Sequence, residues 1–224
     1  MNYPNVVPGI FRSRPNRFIA EVDIDGQRET VHVKNTGRCK ELLVPGARVY
    51  LQDCQSPARK TRYDLIAVEK GDLLINMDSQ APNRVAAEYL PRQFPDLQLL
   101  RPETVYGNSR FDFYLETARE KWFVEVKGVT LEENGIARFP DAPTLRGAKH
   151  MEELIACQQD GFRAMALFIL QMPGMRCFCP NDATDPKFSA ALRHAAASGV
   201  ELLAVDCNVT PDSLTVSNPV PILL

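Results

Sequence analysis

Three charged side chains with a possible chemical use stand in two short, mostly apolar segments of the chain. Asp112 lies in the segment RFDFYL, and Glu125 and Lys127 lie in the segment FVEVKG. Side chains two residues apart in a strand project from the same face, so Glu125 and Lys127 share a face if their segment is extended. Asp112 reaches the same neighbourhood if residues 110–117 pair with residues 121–129 as an antiparallel hairpin.

Two carboxylates and an ammonium group at one point have a clear chemical use. Carboxylates hold Mg²⁺ or Mn²⁺, which prefer oxygen ligands, and such a metal activates water and neutralises charge on a phosphodiester. A nearby lysine stabilises the negative charge that develops during hydrolysis. The spacing therefore predicts a metal site at Asp112 and Glu125, with Lys127 as a catalytic residue. The alternative is a cross-strand ion pair that only closes the edge of a sheet.

A second set of polar side chains lies in the segment FPDAPTLRGAKHMEEL, residues 139–154. Arg146, His150 and Glu153 are spaced i, i+4 and i+7, which places them on one face of a helix. We expect Arg146 and His150 to lie beside the metal site and to contact a phosphate. The alternative is an ion pair with Glu153 on the helix surface. Asp141 is either a turn residue before the helix or a further acidic contact.

Positive charge is concentrated in the first part of the chain. Residues 1–85 hold 13 Lys and Arg against 10 Asp and Glu, although the net charge of the whole chain is −2. The segment KNTGRCK (34–40) either presents N–H groups and cations to a phosphate or is a plain polar turn. The phosphate backbone of a nucleic acid can be contacted whatever its base sequence. Nine basic residues are candidates for such contacts: Arg12, Arg14, Arg17, Lys34, Arg38, Lys40, Arg59, Lys60 and Arg62. Tyr106 and Trp122 could stack on bases, but strand aromatics more often belong to the core.

Residues 1–81 have the pattern of short strands joined by tight turns. The alternating segments RFIAEVDI and ETVHVK flank the turn DG at 25–26, and PGARVYLQDC, YDLIAVEK and GDLLINMD follow. Five or so strands without a helix indicate a small barrel or a compact sandwich, and a barrel of the oligonucleotide-binding type fits that number.

The pattern changes at Pro82. The segment APNRVAAEYLPRQF predicts a helix, and strands follow at 98–106, 110–117 and 121–129. The segment LEENGIARFPDAP predicts a loop. It leads to a longer helix, which runs from Thr144, its N-cap, to Asp160. After it come a buried strand at 163–170, a short strand near 175–179, a helix near 186–198 and a strand at 200–207. The longer helix has an apolar stripe formed by Leu145, Ala148, Met151, Leu154 and Ile155. Residues 82–224 therefore predict an α/β domain.

Cysteine use and hydropathy narrow the class of protein. The six cysteines form no CxxC pair, so a zinc knuckle is not expected. The first residues, MNYPNVVPGIF, lack the pattern of a signal peptide, and no apolar run is long enough for a membrane-spanning helix. Free thiols without an export signal predict a cytoplasmic protein. The sequence gives no indication of the oligomeric state.

These motifs together resemble those of known families. The segments RFDFYL and FVEVKGVTL, in their order of elements, resemble the PD-(D/E)xK nuclease fold. Over nearly its full length the chain resembles the sugar fermentation stimulation protein A family, and the combination of EVKGVTL with FPDAPTxRGxxHxxEL is highly specific. The matching segments are RFIAEV, NTGR, NRVAAE, RPETVYGNSRFDF, VEVKGVTL, FPDAPTLRGAKHMEEL and GVELLAV.

The resemblance implies an oligonucleotide-binding-like barrel joined to a nuclease-like domain. It also implies DNA binding without sequence specificity and a link to the regulation of sugar metabolism. Asp112 and Glu125 then take the metal-ligand positions and Lys127 the catalytic-lysine position, while Glu88 and Glu103 stand where such folds often place a further acidic residue. A C-terminal helix-turn-helix, proposed for some members, is not expected, because the tail CNVTPDSLTVSNPVPILL has little helical pattern.

Three functions are compatible with these expectations. The first is a DNA-binding protein with an active Mg²⁺- or Mn²⁺-dependent nuclease site. The second is a non-catalytic DNA-binding regulator of sugar metabolism in which the site is vestigial. The third is a metal-dependent hydrolase that acts on a small phosphate ester or a nucleotide. These motifs are compatible with DNA and with RNA, and with single-stranded and double-stranded partners.

Overall fold

A closed barrel is built by the first five strands of the computed structural model, which describes residues 1–35 and 37–224. The strands pair in the order β3-β2-β1-β4-β5, and a parallel pairing of β3 with β5 closes the barrel. This confirms the predicted barrel of the oligonucleotide-binding type. The bounds are β1 (Val6–Asn16), β2 (Ile19–Ile24), β3 (Gln27–Val33), β4 (Arg48–Asp53) and β5 (Tyr63–Lys70), and β6 (Leu73–Asn76) pairs with β5 outside the closed ring.

Alternation of apolar residues positions the barrel strands. Ala20, Val22 and Ile24 of β2 are buried while the residues between them are half-buried, as expected for strands with one face on the core. Strand β1 is missing from the expected strands, because Pro8 and Pro15 weaken a strand pattern. In the structure β1 is bulged and pairs with β2 on one edge and β4 on the other.

A six-stranded mixed sheet organises the rest of the chain. Its strand order is β15-β14-β12-β9-β8-β7, in which β9, β12 and β14 are parallel to one another and the other neighbours are antiparallel. The elements run α1 (Ala81–Gln93), β7 (Leu97–Tyr106), β8 (Ser109–Thr117), β9 (Lys121–Val129), β10 (Leu131–Glu133), β11 (Ile136–Phe139), α2 (Leu145–Gln159), β12 (Arg163–Leu170), β13 (Cys177–Pro180), α3 (Pro186–Ala197), β14 (Glu201–Thr210) and β15 (Ser213–Pro219). The predicted α/β class is confirmed, and the division of the chain after residue 81 stays a prediction.

Helices cover both faces of this sheet. Helix α1 packs with Val124 and Val126 of β9, whereas Phe123 belongs to the core that contains α2 and α3. Successive residues of a strand point to opposite faces, so the odd-numbered residues of β9 face α2. Glu125 and Lys127 therefore project on the side of α2.

Three expectations about these elements were incomplete. Strands β10 and β11 replace a predicted loop and form a small sheet with β13, and β15 lies in the tail, for which no strand was predicted. Thr144 is confirmed as the N-cap of α2, since its side chain accepts a hydrogen bond from the Gly147 N–H. Leu145, predicted in the apolar stripe, is 80% exposed, so it does not belong to the face of α2 that packs on the core.

Buried polar contacts join the barrel to the sheet domain. The backbone N–H of Asn76 donates to the carbonyl of Gln171 at 2.9 Å, and the Gln171 amide donates to the Asn76 side chain at 2.9 Å. At the end of β5, Lys70 Nζ donates to a carboxylate oxygen of Glu132 in β10 at 2.6 Å. No helix in the described ranges is long and apolar enough to cross a membrane.

Candidate functional site

The position of Asp112 is fixed where β8 separates from β9. The last ladder pair between these strands is Phe113 with Val124. One residue further along, Oδ2 of Asp112 accepts the Val126 N–H at 2.8 Å in place of a backbone carbonyl. The amide of Asn83, in the first turn of α1, donates to Oδ1 at 2.7 Å. The carboxylate is therefore held from the strand on one side and from a helix on the other.

Glu125 is held from two elements at once. Its Oε1 accepts a hydrogen bond from Lys127 Nζ at 2.6 Å and another from the Nδ1 of His150 in α2. The residue is only 3% exposed. Its second oxygen, Oε2, is buried and has no hydrogen-bond partner within residues 1–35 and 37–224. A buried carboxylate oxygen without a partner is costly, so this atom is open to a water molecule or a cation.

The ring of His150 is fixed by partners on both nitrogens. Arg146 lies one turn earlier in α2, and its Nε–H donates to Nε2 of His150 at 3.3 Å. Because Nε2 accepts that bond, the ring proton resides on Nδ1 and is donated to Glu125. His150 is 3% exposed. In this arrangement it orients Glu125, and the predicted contact of His150 with a phosphate stays a prediction.

The pKa values of the two carboxylates are shifted in opposite directions. Burial raises the pKa of Asp112, and the neighbouring Glu125 charge raises it further, beyond what the Val126 N–H, Asn83 and Lys127 offset. Burial also acts to raise the pKa of Glu125, but the His150 hydrogen bond and Lys127 outweigh it and hold that pKa below its ordinary value. Because the Glu125 charge raises the pKa of Asp112, the two acids are electrostatic neighbours, a combination that a shared cation stabilises.

These donors fit a hard divalent cation. Asp112 and the unpartnered oxygen of Glu125 are carboxylate ligands of the kind that Mg²⁺, Mn²⁺ and Ca²⁺ accept, with water completing the shell. Across the described residues, no group of three or more His, Cys, Asp and Glu side chains is arranged to hold a metal. Glu88 instead pairs with the amino group of Met1 at 2.9 Å, and Glu103 pairs with Arg110 at 3.4 Å.

Other residues of the α2 segment have different partners from those expected. Glu153 pairs with Lys149 at 3.3 Å and not with Arg146 or His150, so the alternative of an ion pair among those three residues is wrong. Asp141 lies against Gly37, since a Cβ on that glycine would collide with its Oδ2. Asp141 thus contacts the barrel.

The nine basic residues predicted to contact phosphates fall into three groups. Four form ion pairs with carboxylates of the barrel or the following segment: Arg12 with Asp23, Lys34 with Asp78, Arg59 with Asp64, and Arg62 with Asp53. Arg14 donates to the backbone carbonyls of Arg17, Asn35, Gly37 and Arg38 and so holds a loop. The remaining four are exposed and have no carboxylate partner in the described part of the chain: Arg17, Arg38, Lys40 and Lys60. Thr36, part of the predicted phosphate loop, lies outside the described residues.

The two aromatic residues considered for base stacking pack against other rings of the protein, Trp122 as a buried and Tyr106 as a half-buried residue. Trp122 is 4% exposed and contacts Phe94 edge to face, and Tyr106 packs on Phe111, Phe123 and Phe162. Sequence reasoning missed two other residues, one that contacts Asp112 and one that lies beside an exposed arginine of the barrel. Asn83 was visible only as part of the segment NRVAAE, and Phe18 stands beside Arg17 at the start of an alternating strand.

Comparison with known proteins identifies the family. A family model described as the SfsA N-terminal OB domain matches residues 13–77, and one described as the sugar fermentation stimulation protein RE domain matches residues 80–213. The chain belongs to the SfsA family. Among relatives of this SfsA chain, the sugar fermentation stimulation protein homolog of Desulfitobacterium hafniense (strain Y51) is 54% identical, with 100% of this chain and 99% of the relative covered. The homolog of Clostridium beijerinckii is 51% identical, with 100% of both chains covered.

A solved structure extends the similarity of this SfsA chain to three dimensions. The structure of Pyrococcus furiosus SfsA in complex with Ca²⁺ matches with a TM-score of 0.89 and 30% identity, covering 100% of this chain and 98% of that one. The relative therefore shares both domains and their arrangement. Its bound ion is a hard divalent cation of the class that the carboxylate pair described above fits.

Proposed function

We propose that this SfsA-family protein binds DNA without sequence specificity and hydrolyses phosphodiester bonds at a divalent-metal site formed by Asp112 and Glu125. The observation that carries the proposal is the buried, unpartnered Oε2 of Glu125 beside the carboxylate of Asp112. The structure of the Pyrococcus furiosus relative in complex with Ca²⁺ supports binding of a hard divalent cation by this family. All six cysteines are free thiols, which supports action in a reducing cytoplasm.

The side chains around the pair have separate tasks in this reaction. Asn83 and the Val126 N–H orient Asp112, while Arg146 and His150 orient Glu125. The Lys127 ammonium lies 2.6 Å from Glu125 and stabilises negative charge on phosphate oxygens. A bound Mg²⁺ or Mn²⁺ supplies Lewis-acid activation of water and charge neutralisation.

The test is cleavage of plasmid and oligonucleotide DNA with Mg²⁺, Mn²⁺, Ca²⁺ or EDTA. Asp112→Asn and Glu125→Gln keep the shape of each side chain and remove its charge. Each is expected to lower metal-dependent cleavage by about 100-fold or more, comparable to the loss of a main charge-stabilising group. Glu116→Gln is the matched control, since Glu116 lies at the other end of β8 and bonds Tyr114, and it is expected to cleave normally.

A non-catalytic DNA-binding regulator with a vestigial site is the second candidate. It is favoured by the saturation of Glu125 Oε1 by Lys127 and His150, an arrangement that is stable with no further partner on that oxygen. Salt-sensitive DNA binding by the wild type, without cleavage under any metal, would select this candidate. Cleavage of a small phosphate ester without DNA affinity at any salt concentration would reject both and favour a small-molecule hydrolase.

A further inference from the structure

A shallow basic depression lies on the rim of the barrel. Its volume is about 410 Å³, and it is lined by Arg14, Asn16, Arg17, Gly37, Arg38, Lys40 and Leu43. We call these residues the basic depression. Four of the seven lining residues carry a permanent positive charge, so the depression attracts anions such as phosphate groups.

The cations of the depression divide into one that builds it and three that face solvent. The terminal N–H groups of Arg14 donate hydrogen bonds to four backbone carbonyls, at distances from 2.6 to 2.9 Å. It therefore fixes the wall of the depression. Arg17, Arg38 and Lys40 are exposed and, over residues 1–35 and 37–224, have no carboxylate partner. They differ in this respect from Arg12, Arg59 and Arg62, whose charges are neutralised within the barrel.

An exposed aromatic ring stands at the edge of the basic depression. Phe18 is 47% exposed, and the guanidinium of Arg17 lies 4.9 Å from its ring centroid. The backbone of Phe18 is fixed at both polar groups, because its N–H donates to Asn16 Oδ1 and its carbonyl accepts from the Val33 N–H, each at 2.8 Å. A large apolar side chain held in water beside unpaired cations is a suitable platform for a base.

We propose that Phe18 and the basic depression form a binding subsite for a single-stranded polynucleotide. Arg17, Arg38 and Lys40 contact successive phosphates, and an unpaired base stacks on Phe18. Bases in a duplex already stack on one another and offer no free face, so the subsite discriminates against double strands. This inference rests on the proposed function and deepens it, because it names the strandedness of the partner and the surface that recognises it.

The loop between β3 and β4, which lines part of the basic depression, contacts the segments that precede the two helices of the carboxylate site. Gly37 abuts Asp141, which precedes α2 with its Arg146 and His150. Lys34, at the start of the same loop, binds Asp78 at 2.7 Å, and Asp78 precedes α1 with its Asn83. A strand seated in the depression is thus delivered beside the segments that carry the partners of Asp112 and Glu125.

Fluorescence anisotropy with labelled oligonucleotides tests the subsite on the full chain. A 20-residue single strand of DNA, its RNA counterpart and the corresponding DNA duplex are titrated at several salt concentrations. Phe18→Ala is expected to weaken single-strand binding about 10-fold or more and to leave duplex binding nearly unchanged. Arg38→Ala and Lys40→Ala are each expected to reduce the salt slope for single strands by about 0.7.

Two matched controls and one direct probe sharpen the test. Leu223→Ala removes an exposed apolar side chain at the other end of the chain, and Arg119→Ala removes an exposed charge from the turn between β8 and β9. Both are expected to bind as the wild type does. Phe18→Trp places an exposed indole at the platform, whereas the native Trp122 is buried. Its fluorescence is expected to be quenched by single strands.

The outcomes separate this inference from the function on which it rests. Equal affinity for single strands and duplex, with no loss in Phe18→Ala and no quenching in Phe18→Trp, would overturn the subsite while nucleic-acid binding stands. A wild-type protein that binds no polynucleotide at low salt would overturn the proposed function and the subsite together. The DNA and RNA arms identify which strand the subsite prefers.

Discussion

Glu125 illustrates how single residues prepare a site before any ligand arrives. A buried carboxylate is expensive unless it is paired and hydrogen-bonded, and here Lys127 and His150 meet that requirement through one oxygen. Across residues 1–35 and 37–224, the second oxygen has no hydrogen-bond partner. The protein therefore keeps Glu125 ionised, with its pKa below the ordinary value, and leaves this oxygen open to a ligand.

Replacing His150 tests this role of orientation. In His150→Ala a buried oxygen of Glu125 loses one donor, and the free energy of unfolding is expected to fall by about 2 kcal/mol. Affinity for Mn²⁺ is expected to fall about 10-fold or more, because the carboxylate is no longer held in direction. Urea denaturation and the electron paramagnetic resonance signal of free Mn²⁺ measure the two effects.

His194→Ala provides the control for that substitution. His194 is exposed on α3 and contacts Glu152 at 3.3 Å, far in sequence from the carboxylates. Neither stability nor Mn²⁺ affinity is expected to change appreciably. Unaltered Mn²⁺ affinity in a folded His150→Ala protein would contradict the orienting role.

At the scale of elements, the starts of α2 and α3 are tied together by one side chain. Asp185 is the N-cap of α3, where Oδ1 accepts from the Phe188 N–H at 3.0 Å. Its Oδ2 accepts from the N–H of Thr144, the N-cap of α2, at 2.7 Å. Both helices pack on the face of the sheet that carries Glu125. The direction in which α2 presents His150 therefore depends on a cap in the next helix.

Asp185→Ala is expected to lower the free energy of unfolding by about 1–2 kcal/mol at neutral pH. Burial acts to raise the pKa of Asp185, but the N–H groups of Thr144, Phe188 and Lys187 outweigh it and lower the pKa. A lowered folded pKa contributes stability that is fully present above the ordinary value of about 4 and is lost as the pH falls through the folded value.

Urea denaturation at pH 7 and at pH 3 measures this dependence. The difference between the wild type and Asp185→Ala is expected to shrink at the lower pH. Asp96→Ala, in an exposed turn, is expected to change stability by less than about 0.5 kcal/mol at either pH. A gap between wild type and Asp185→Ala that grows on acidification would show that the carboxylate is not the stabilising form.

At the scale of the whole molecule, one buried carboxylate links the barrel to the sheet domain. Asp78 is fully buried and accepts from Lys34 Nζ at 2.7 Å and from Tyr3 OH at 3.3 Å. Its carbonyl accepts from the Gln171 amide at 3.0 Å, and Gln171 also bonds Asn76. Barrel, connecting segment and sheet thus share one polar network. We expect the two domains to unfold together.

Asp78→Ala leaves the mostly buried Lys34 without its partner, which costs about 3 kcal/mol. Because the lost contacts cross between domains, calorimetry is expected to show two unfolding transitions in place of one, and protease is expected to cut near the connecting segment sooner. Asp72→Ala, in the exposed turn between β5 and β6, is the control and is expected to melt as the wild type does. A single, unshifted transition in Asp78→Ala would contradict the coupling.

The sequence by itself determined much of the local design. The period of two in residues 121–129 placed Glu125 and Lys127 on one face, and the turn signals indicated the barrel and the Thr144 cap. These features depend on neighbours along the chain, which the sequence displays directly. Strand β1 was missed because of its prolines. In the folded barrel Pro15 lies in a bulged stretch of the pairing with β2, and Pro8 lies beyond the residues of β1 that pair with β2.

Only the tertiary structure decided which charged side chains pair with each other inside the protein and which remain available to a ligand. His150 meets Glu125 across 25 positions. Arg59 and Arg62 are neutralised by Asp64 and Asp53, while Arg38 and Lys40 have no carboxylate partner in the part of the chain that the structure describes. The partner of a charge is set by distance in space, which spacing along the chain does not give for long-range contacts. For the same reason Trp122 is buried and Phe18 is exposed, although each lies in a strand-like segment beside a basic residue.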